Sequence, residues 1–199
     1  MVNRSKIGKR NKAAAYRYEK KIADRLEEFT GREFCPTPRS GGLRWKSHDE
    51  VIGDLVTPED FKFTVECKKY KEVDMERILF TRGPNTTDDI ISFWKEACES
   101  AIRADRLPVL FYEQFRRKSV VCVPVTCVED LTQDDEAVCY TDGHREVLSI
   151  YLPMSCYFAY FHIKLPKEIK QEHPEWEWIA ASQFRNFLKV VDPERLFRG

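Results

Sequence analysis

The run Phe61–Lys68 constrains this chain more tightly than any other stretch. Phe61, Phe63, Val65 and Cys67 alternate there with Lys62, Thr64, Glu66 and Lys68, a period of two that suits a strand with one buried face and does not suit a helix. Successive strand side chains point to opposite faces, so Glu66 and Lys68 share the polar face, roughly 7 Å apart along the chain. Such a pair reads either as a solvated ion pair, worth at most about 1 kcal/mol, or as half of a metal-dependent site. The spelling does not choose, because acid-x-Lys also occurs at Glu19-Lys21, Asp60-Lys62 and Glu168-Lys170.

The surrounding pattern supplies context. From Lys12 to Thr30, Ala15, Ile22, Leu26 and Phe29 recur at helical spacings, predicting a helix capped by Asn11 and stopped by Gly31. Glu19 falls on its apolar face, where a charge needs a reason, unless it snorkels from the edge of the stripe. Residues 1–11 are basic, with little apolar content, and read as a flexible arm. "REFCPTP" predicts a short strand, "RSGGLRWKSHDE" a basic loop, and Val51–Val56, with Gly53 and Asp54, another short strand. A long loop is expected over Val73–Thr87. Asp88–Asp105 then reads as a helix with Ile90, Trp94, Ala97 and Ala101 on one face, ended by Pro108. "VLFYE" and "SVVCVPV" follow as strands around "QFRRK".

Helix, three strands, helix, two strands describe an α/β chain with a mixed sheet and helices on its faces. Beyond Thr126 come an acidic linker, a hairpin turning at Asp142-Gly143, a strand near Cys156–Leu165, and an aromatic, helix-like tail with Trp176, Trp178, Phe184 and Phe187. The expected organisation is an arm (1–11), a core (12–125) and an extension (126–199) packed on it.

At 199 residues the chain suits one sizeable core. It has no apolar run of the ~18 residues a membrane span needs, and no apolar signal core at its N-terminus, so a cytoplasmic location is expected. Seven cysteines without paired spacings read as reduced thiols. Cys122, Cys127, Cys139 and His144 lack the close pair that anchors a zinc site. No GxxxxGK occurs, so no nucleotide cofactor is expected. Net charge is zero, but residues 1–48 hold 13 Lys and Arg against 5 Asp and Glu, and the remainder 20 against 28. That asymmetry suits phosphate contact by the arm (Arg4, Lys6, Lys9, Arg10, Lys12) and by the loop (Arg39, Ser40, Arg44, Lys46), or else simple solvated charge.

Asp54 precedes Glu66 by one strand, and Glu19 comes from a helix that must pack on the sheet. Asp54 alone also suits a cap for the turn before Pro58. Together, three carboxylates repel one another and suit a divalent cation, for which oxygen donors favour Mg²⁺. In that reading Asp54 and Glu66 are ligands, the Cys67 backbone carbonyl is a third, and Lys68 places positive charge where negative charge develops. Lys69, on the opposite face, is expected to take no part.

A helix bearing Glu19, "GD" at Gly53-Asp54 and "ECK" at Glu66-Cys67-Lys68, in an αβββαβ order, resembles the PD-(D/E)xK nuclease superfamily. With "RSGG" at Arg39–Gly42 it resembles the archaeal and phage Holliday junction resolvases, over about residues 12–125. The resemblance implies a restriction-endonuclease-like core and a metal site and catalytic set made by Glu19, Asp54, Glu66 and Lys68, with Glu19 a metal ligand beside Asp54, Glu66 and the Cys67 carbonyl. It also implies Mg²⁺ with Mn²⁺ able to substitute, branched DNA as substrate, a homodimer, and a place in bacterial, archaeal or phage-infected cells. Where that family often has Gln in the following helix, this chain has Lys95 and Glu96. The rival readings are a same-fold nuclease for linear, nicked or flap DNA, and a non-catalytic DNA-binding or assembly protein.

Overall fold

In the computed structural model the alternating run is strand β3 (Phe63–Tyr70), with Phe61 bridged to Phe197 just before it. The structure describes residues 4–38, 52–70, 87–114, 118–132, 138–141, 148–151, 157–163 and 165–198. Its other elements are α1 (Arg4–Thr30), β1 (Cys35–Pro36), β2 (Leu55–Val56), α2 (Thr87–Ala104), β4 (Leu107–Gln114) and β5 (Ser119–Pro124). They continue with α3 (Val128–Leu131), β6 (Val138–Thr141), β7 (Leu148–Tyr151), β8 (Tyr157–His162), α4 (Lys167–Glu172), β9 (Trp178–Gln183) and α5 (Phe184–Val190).

Seven strands make one mixed sheet in the order β3-β4-β5-β9-β8-β7-β6. Only β3 and β4 run parallel, with Val65 opposite Val109; the other neighbours are antiparallel. A parallel pair needs a crossover, and α2 lies in it. One face of the sheet packs Phe63, Val65, Cys67, Val109, Phe111, Val121 and Val123 against Tyr18, Ile22 and Leu26 of α1 and Phe184 and Phe187 of α5. The other packs Leu110, Tyr112 and Cys122 against Phe93, Trp94, Ala97 and Ala101 of α2. The middle strands are therefore buried on both faces, which is why "VLFY" and "VVCVP" show continuous apolar runs where β3 shows alternation.

Three expectations change. Helix α1 begins at Arg4, so residues 4–11 continue the helix instead of forming a flexible arm. Among the described residues β1 and β2 pair only with each other, outside the large sheet. The expected hairpin is present, β6 pairing with β7 with Thr141 opposite Leu148, and the turn expected at Asp142-Gly143 lies outside the described residues. The aromatic tail is only partly helical: β9 lies between β5 and β8. Its Ile179, Ala180, Ala181 and Ser182 are all buried, and a strand buried on both faces carries no period of two to reveal it. β9 makes the C-terminal part continuous with the core sheet, and Lys62 N–H donates to the Leu196 carbonyl at 2.9 Å just before β3. The loop expected over 73–87 lies largely outside the described residues. Among the described residues no helix is long and apolar enough to cross a membrane.

Candidate active site

β3 is the outer strand of its sheet, and an edge strand presents unpaired backbone groups. The segment carrying Gly53 and Asp54 covers that edge. Asp54 N–H donates to the Val65 carbonyl at 2.8 Å, and Cys67 N–H donates to Asp54 Oδ2 at 2.8 Å. Thr37 secures the segment from behind: its N–H donates to the Asp54 carbonyl and its Oγ1 to the Gly53 carbonyl, both at 2.9 Å. Gly53 has φ +93°, and a Cβ there would lie 2.8 Å from the Val65 carbonyl oxygen and 3.0 Å from Thr64 Cγ2. The glycine is what lets the aspartate sit against β3.

Glu66 and Lys68 project from the β3 face covered by α2. Lys68 Nζ lies 2.7 Å from Glu66 Oε1 and 2.5 Å from Glu96 Oε2, and 5.6 Å from the centre of the Phe93 ring. Burial, followed by the charge of Asp54, holds the Glu66 carboxyl above its ordinary range although Lys68 opposes this. Burial works against the Lys68 cation, but Glu66 and Glu96 outweigh it and its pKa stands above that of an ordinary lysine. Lys68 is thus a standing positive charge, not a proton acceptor.

A cavity of about 300 Å³ opens here, with Asp54 and Glu66 on one wall and Glu96, Glu99, Ser100 and Arg103 of α2 on the other. A larger one, about 570 Å³ around Arg106, His173 and Arg198, contains none of the predicted site residues. The smaller one is the candidate site, since its carboxylates interact and adjoin the Lys68 cation.

Glu19 is 1% exposed on α1, which packs on the other face of β3. Its charge still reaches the edge: burial, then Asp54, Glu19 and Glu66, push the Cys67 thiol well above its ordinary value. The structure thus brings Asp54, Glu66 and Lys68 together, while Glu19 is buried on α1, which packs on the face of β3 that carries Cys67. Among the described residues, no three His, Cys, Asp or Glu side chains are gathered closely enough to hold a metal ion. The donors that do adjoin, carboxylate oxygens with Glu66 held from ionising by burial and then by the charge of Asp54, fit a hard divalent cation that keeps part of its water shell. The Cys67 carbonyl leaves β3 on the same edge as the Cys67 N–H that holds Asp54.

Lys12 is exposed on α1; the side chains of Arg4, Lys6, Lys9 and Arg10 lie outside the described residues, as do Arg39, Ser40, Arg44 and Lys46. Reasoning from sequence missed the polar face of α2. Glu96, Glu99, Ser100 and Arg103 recur at i, i+3, i+4 and i+7, a helical stripe opposite the apolar one that was legible beforehand. It also missed that Lys69 has a structural partner. Its Nζ lies 2.6 Å from Glu113 Oε1, and Lys21 and Ser119 bind the same buried carboxylate.

No curated protein and no solved structure matches this chain. A family model does match, across residues 9–152, a span holding Glu19, Asp54, Glu66, Lys68 and the helix that faces them. The match takes in β1 to β7, and the mixed sheet with helices on its faces is the arrangement of restriction-endonuclease-like proteins. The chain belongs to the family described as "Phage putative PDDEXK endonuclease", within the PD-(D/E)xK superfamily.

Proposed function

We propose that this protein is a divalent-metal-dependent endonuclease that hydrolyses DNA phosphodiesters, selective for branched structures such as four-way junctions. The observation that carries the nuclease reading is the joint placement of Asp54 and Glu66 on one cavity wall, with the Lys68 ammonium 2.7 Å from Glu66. Asp54, Glu66 and the Cys67 carbonyl would hold Mg²⁺, with Mn²⁺ able to take its place. When bound, the ion polarises the phosphate and acidifies a water at the site. Asp54 remains anchored through Cys67 N–H, so its second oxygen, which has no hydrogen-bond partner among the described residues, can face the cavity. Lys68 offsets the negative charge that builds on the phosphate oxygens as the leaving group departs. Glu19, from the α1 side, completes the catalytic set around the strand edge.

The core, residues 12–125, carries this chemistry, and residues 126–199 extend and brace it. The basic residues of the N-terminal segment and the 39–46 loop hold phosphates flanking the cut, giving affinity rather than sequence readout. Two copies acting as a homodimer suit symmetric cutting of a junction, in the cytoplasm of an infected or cellular host. The test is cleavage of four-way junction, flap, nicked and linear DNA with Mg²⁺ or EDTA, beside Glu66→Ala. Metal-dependent cleavage lost in the variant is expected, with the junction preferred. DNA binding without metal-dependent cleavage by the wild type would overturn the enzymatic reading. Equal cutting of junction and linear duplex would remove only the junction preference.

A further inference from the structure

The Lys68 ammonium sits between two carboxylates from different elements: Glu66 at 2.7 Å on its own strand and Glu96 at 2.5 Å on α2. We propose that Glu96 is the positioning residue for Lys68, an inference that rests on the nuclease reading above. In that reading Glu66 turns its oxygens toward a cation and loosens its hold on the ammonium. A lysine has a long flexible stem, and holding its head group at one point costs rotamer entropy unless a fixed partner remains.

Glu96 is such a partner. The helix that bears it is pinned by Phe93, Trp94 and Ala97, which are 6%, 0% and 0% exposed. Phe93 and Glu96, three apart on the same helical face, place a ring and a carboxylate around one ammonium. The neighbouring Lys95 turns to Glu99 instead, at 3.5 Å with nearly half of both side chains exposed. The alternative, Glu96 as a further metal ligand, is disfavoured: its Oε2 is engaged by Lys68, and no three ligating side chains are gathered among the described residues.

The experiment compares Glu96→Ala and Glu96→Gln with wild type in the full-length chain, each with and without Lys68→Ala, by steady-state cleavage and by calorimetric Mg²⁺ titration. A positioning role predicts that Glu96→Ala lowers kcat about 10- to 100-fold, since small misplacements of a catalytic group cost that much, with KM within about twofold. Glu96→Gln, which keeps the acceptor oxygen, recovers most of the rate. Mg²⁺ affinity is unchanged in both, and Glu96→Ala has no further effect once Lys68 is Ala. Weakened Mg²⁺ binding would overturn the proposal by making Glu96 a ligand. An unchanged kcat, or a change confined to KM, would overturn it as well. Cleavage by the wild type separates these outcomes from failure of the nuclease reading, which would remove the proposal's basis. The side chain of Glu96 is 48% exposed, so both variants should fold, and thermal unfolding checks this.

Discussion

Replacing Gly53 with Ala places a methyl group 2.8 Å from the Val65 carbonyl oxygen and 3.0 Å from Thr64 Cγ2, at a backbone φ of +93°. Val65 cannot move aside, being 0% exposed and paired with Val109 across β4. Keeping the segment in place would cost about 1–3 kcal/mol for the backbone conformation and about 1–3 kcal/mol more for the overpacked contact. Lifting it from the edge forfeits the two bonds that Asp54 makes with β3, about 0.5–1.5 kcal/mol each. Lifting is the cheaper response. We therefore expect a modest stability loss, about 1–3 kcal/mol, and a far larger loss of function, about 100-fold or more in metal-dependent cleavage, because Asp54 moves with the segment.

Urea unfolding of the metal-free protein and cleavage with Mg²⁺ measure the two effects. Gly31→Ala is the control. Its φ is +69°, with nothing within 4 Å of the added Cβ, so it should cost about 1–2 kcal/mol and leave cleavage alone. A Gly53→Ala protein that cleaves as fast as wild type would refute the coupling of this glycine to the position of Asp54.

Glu66→Gln should abolish cleavage and yet stabilise the metal-free fold at pH 7. Burial and Asp54 raise the folded carboxyl above its ordinary value. The stability it contributes is therefore present below the unfolded pKa and lost as pH rises through the raised folded one. Melting temperatures against pH check this, and the two proteins should converge in acid. Glu113→Gln should destabilise by about 1–3 kcal/mol, less than the loss of a fully buried pair, because the side chains of Lys21 and Lys69 are 52% and 30% exposed. Burial opposes ionisation of Glu113, but Lys21, Lys69 and Ser119 win and lower its pKa. Its contribution is present above the unfolded carboxylate pKa and fades as pH falls through the folded one. Urea midpoints at several pH values would show the wild-type advantage disappearing in acid.

Much of the site was legible because it depends on local rules. The alternation of Phe61–Lys68 announces a strand buried on one face, and the outer position of β3, with charged Glu66 and Lys68 on its second face, is what keeps that alternation clean. Glu19 was legible as a charge on an apolar helical face, and it is indeed buried. β9 was not, because an element packed on both sides repeats nothing. The start of α1 at Arg4 was also missed, since a basic segment of low apolar content reads as a tail whichever backbone it adopts.

By itself the sequence determined the order of elements over residues 12–125 and the types of donor available: carboxylates on a helix, before a strand and within it, with one lysine beside them. The tertiary structure alone decided which of them meet. Glu19 is buried on α1, which packs on the Cys67 face of β3, Asp54 reaches the edge only because Gly53 has no side chain, and Glu96 reaches Lys68 only because α2 crosses the other face of β3. Those meetings depend on register, edge position and helix docking, set by contacts between residues far apart in the chain, and no local period records them.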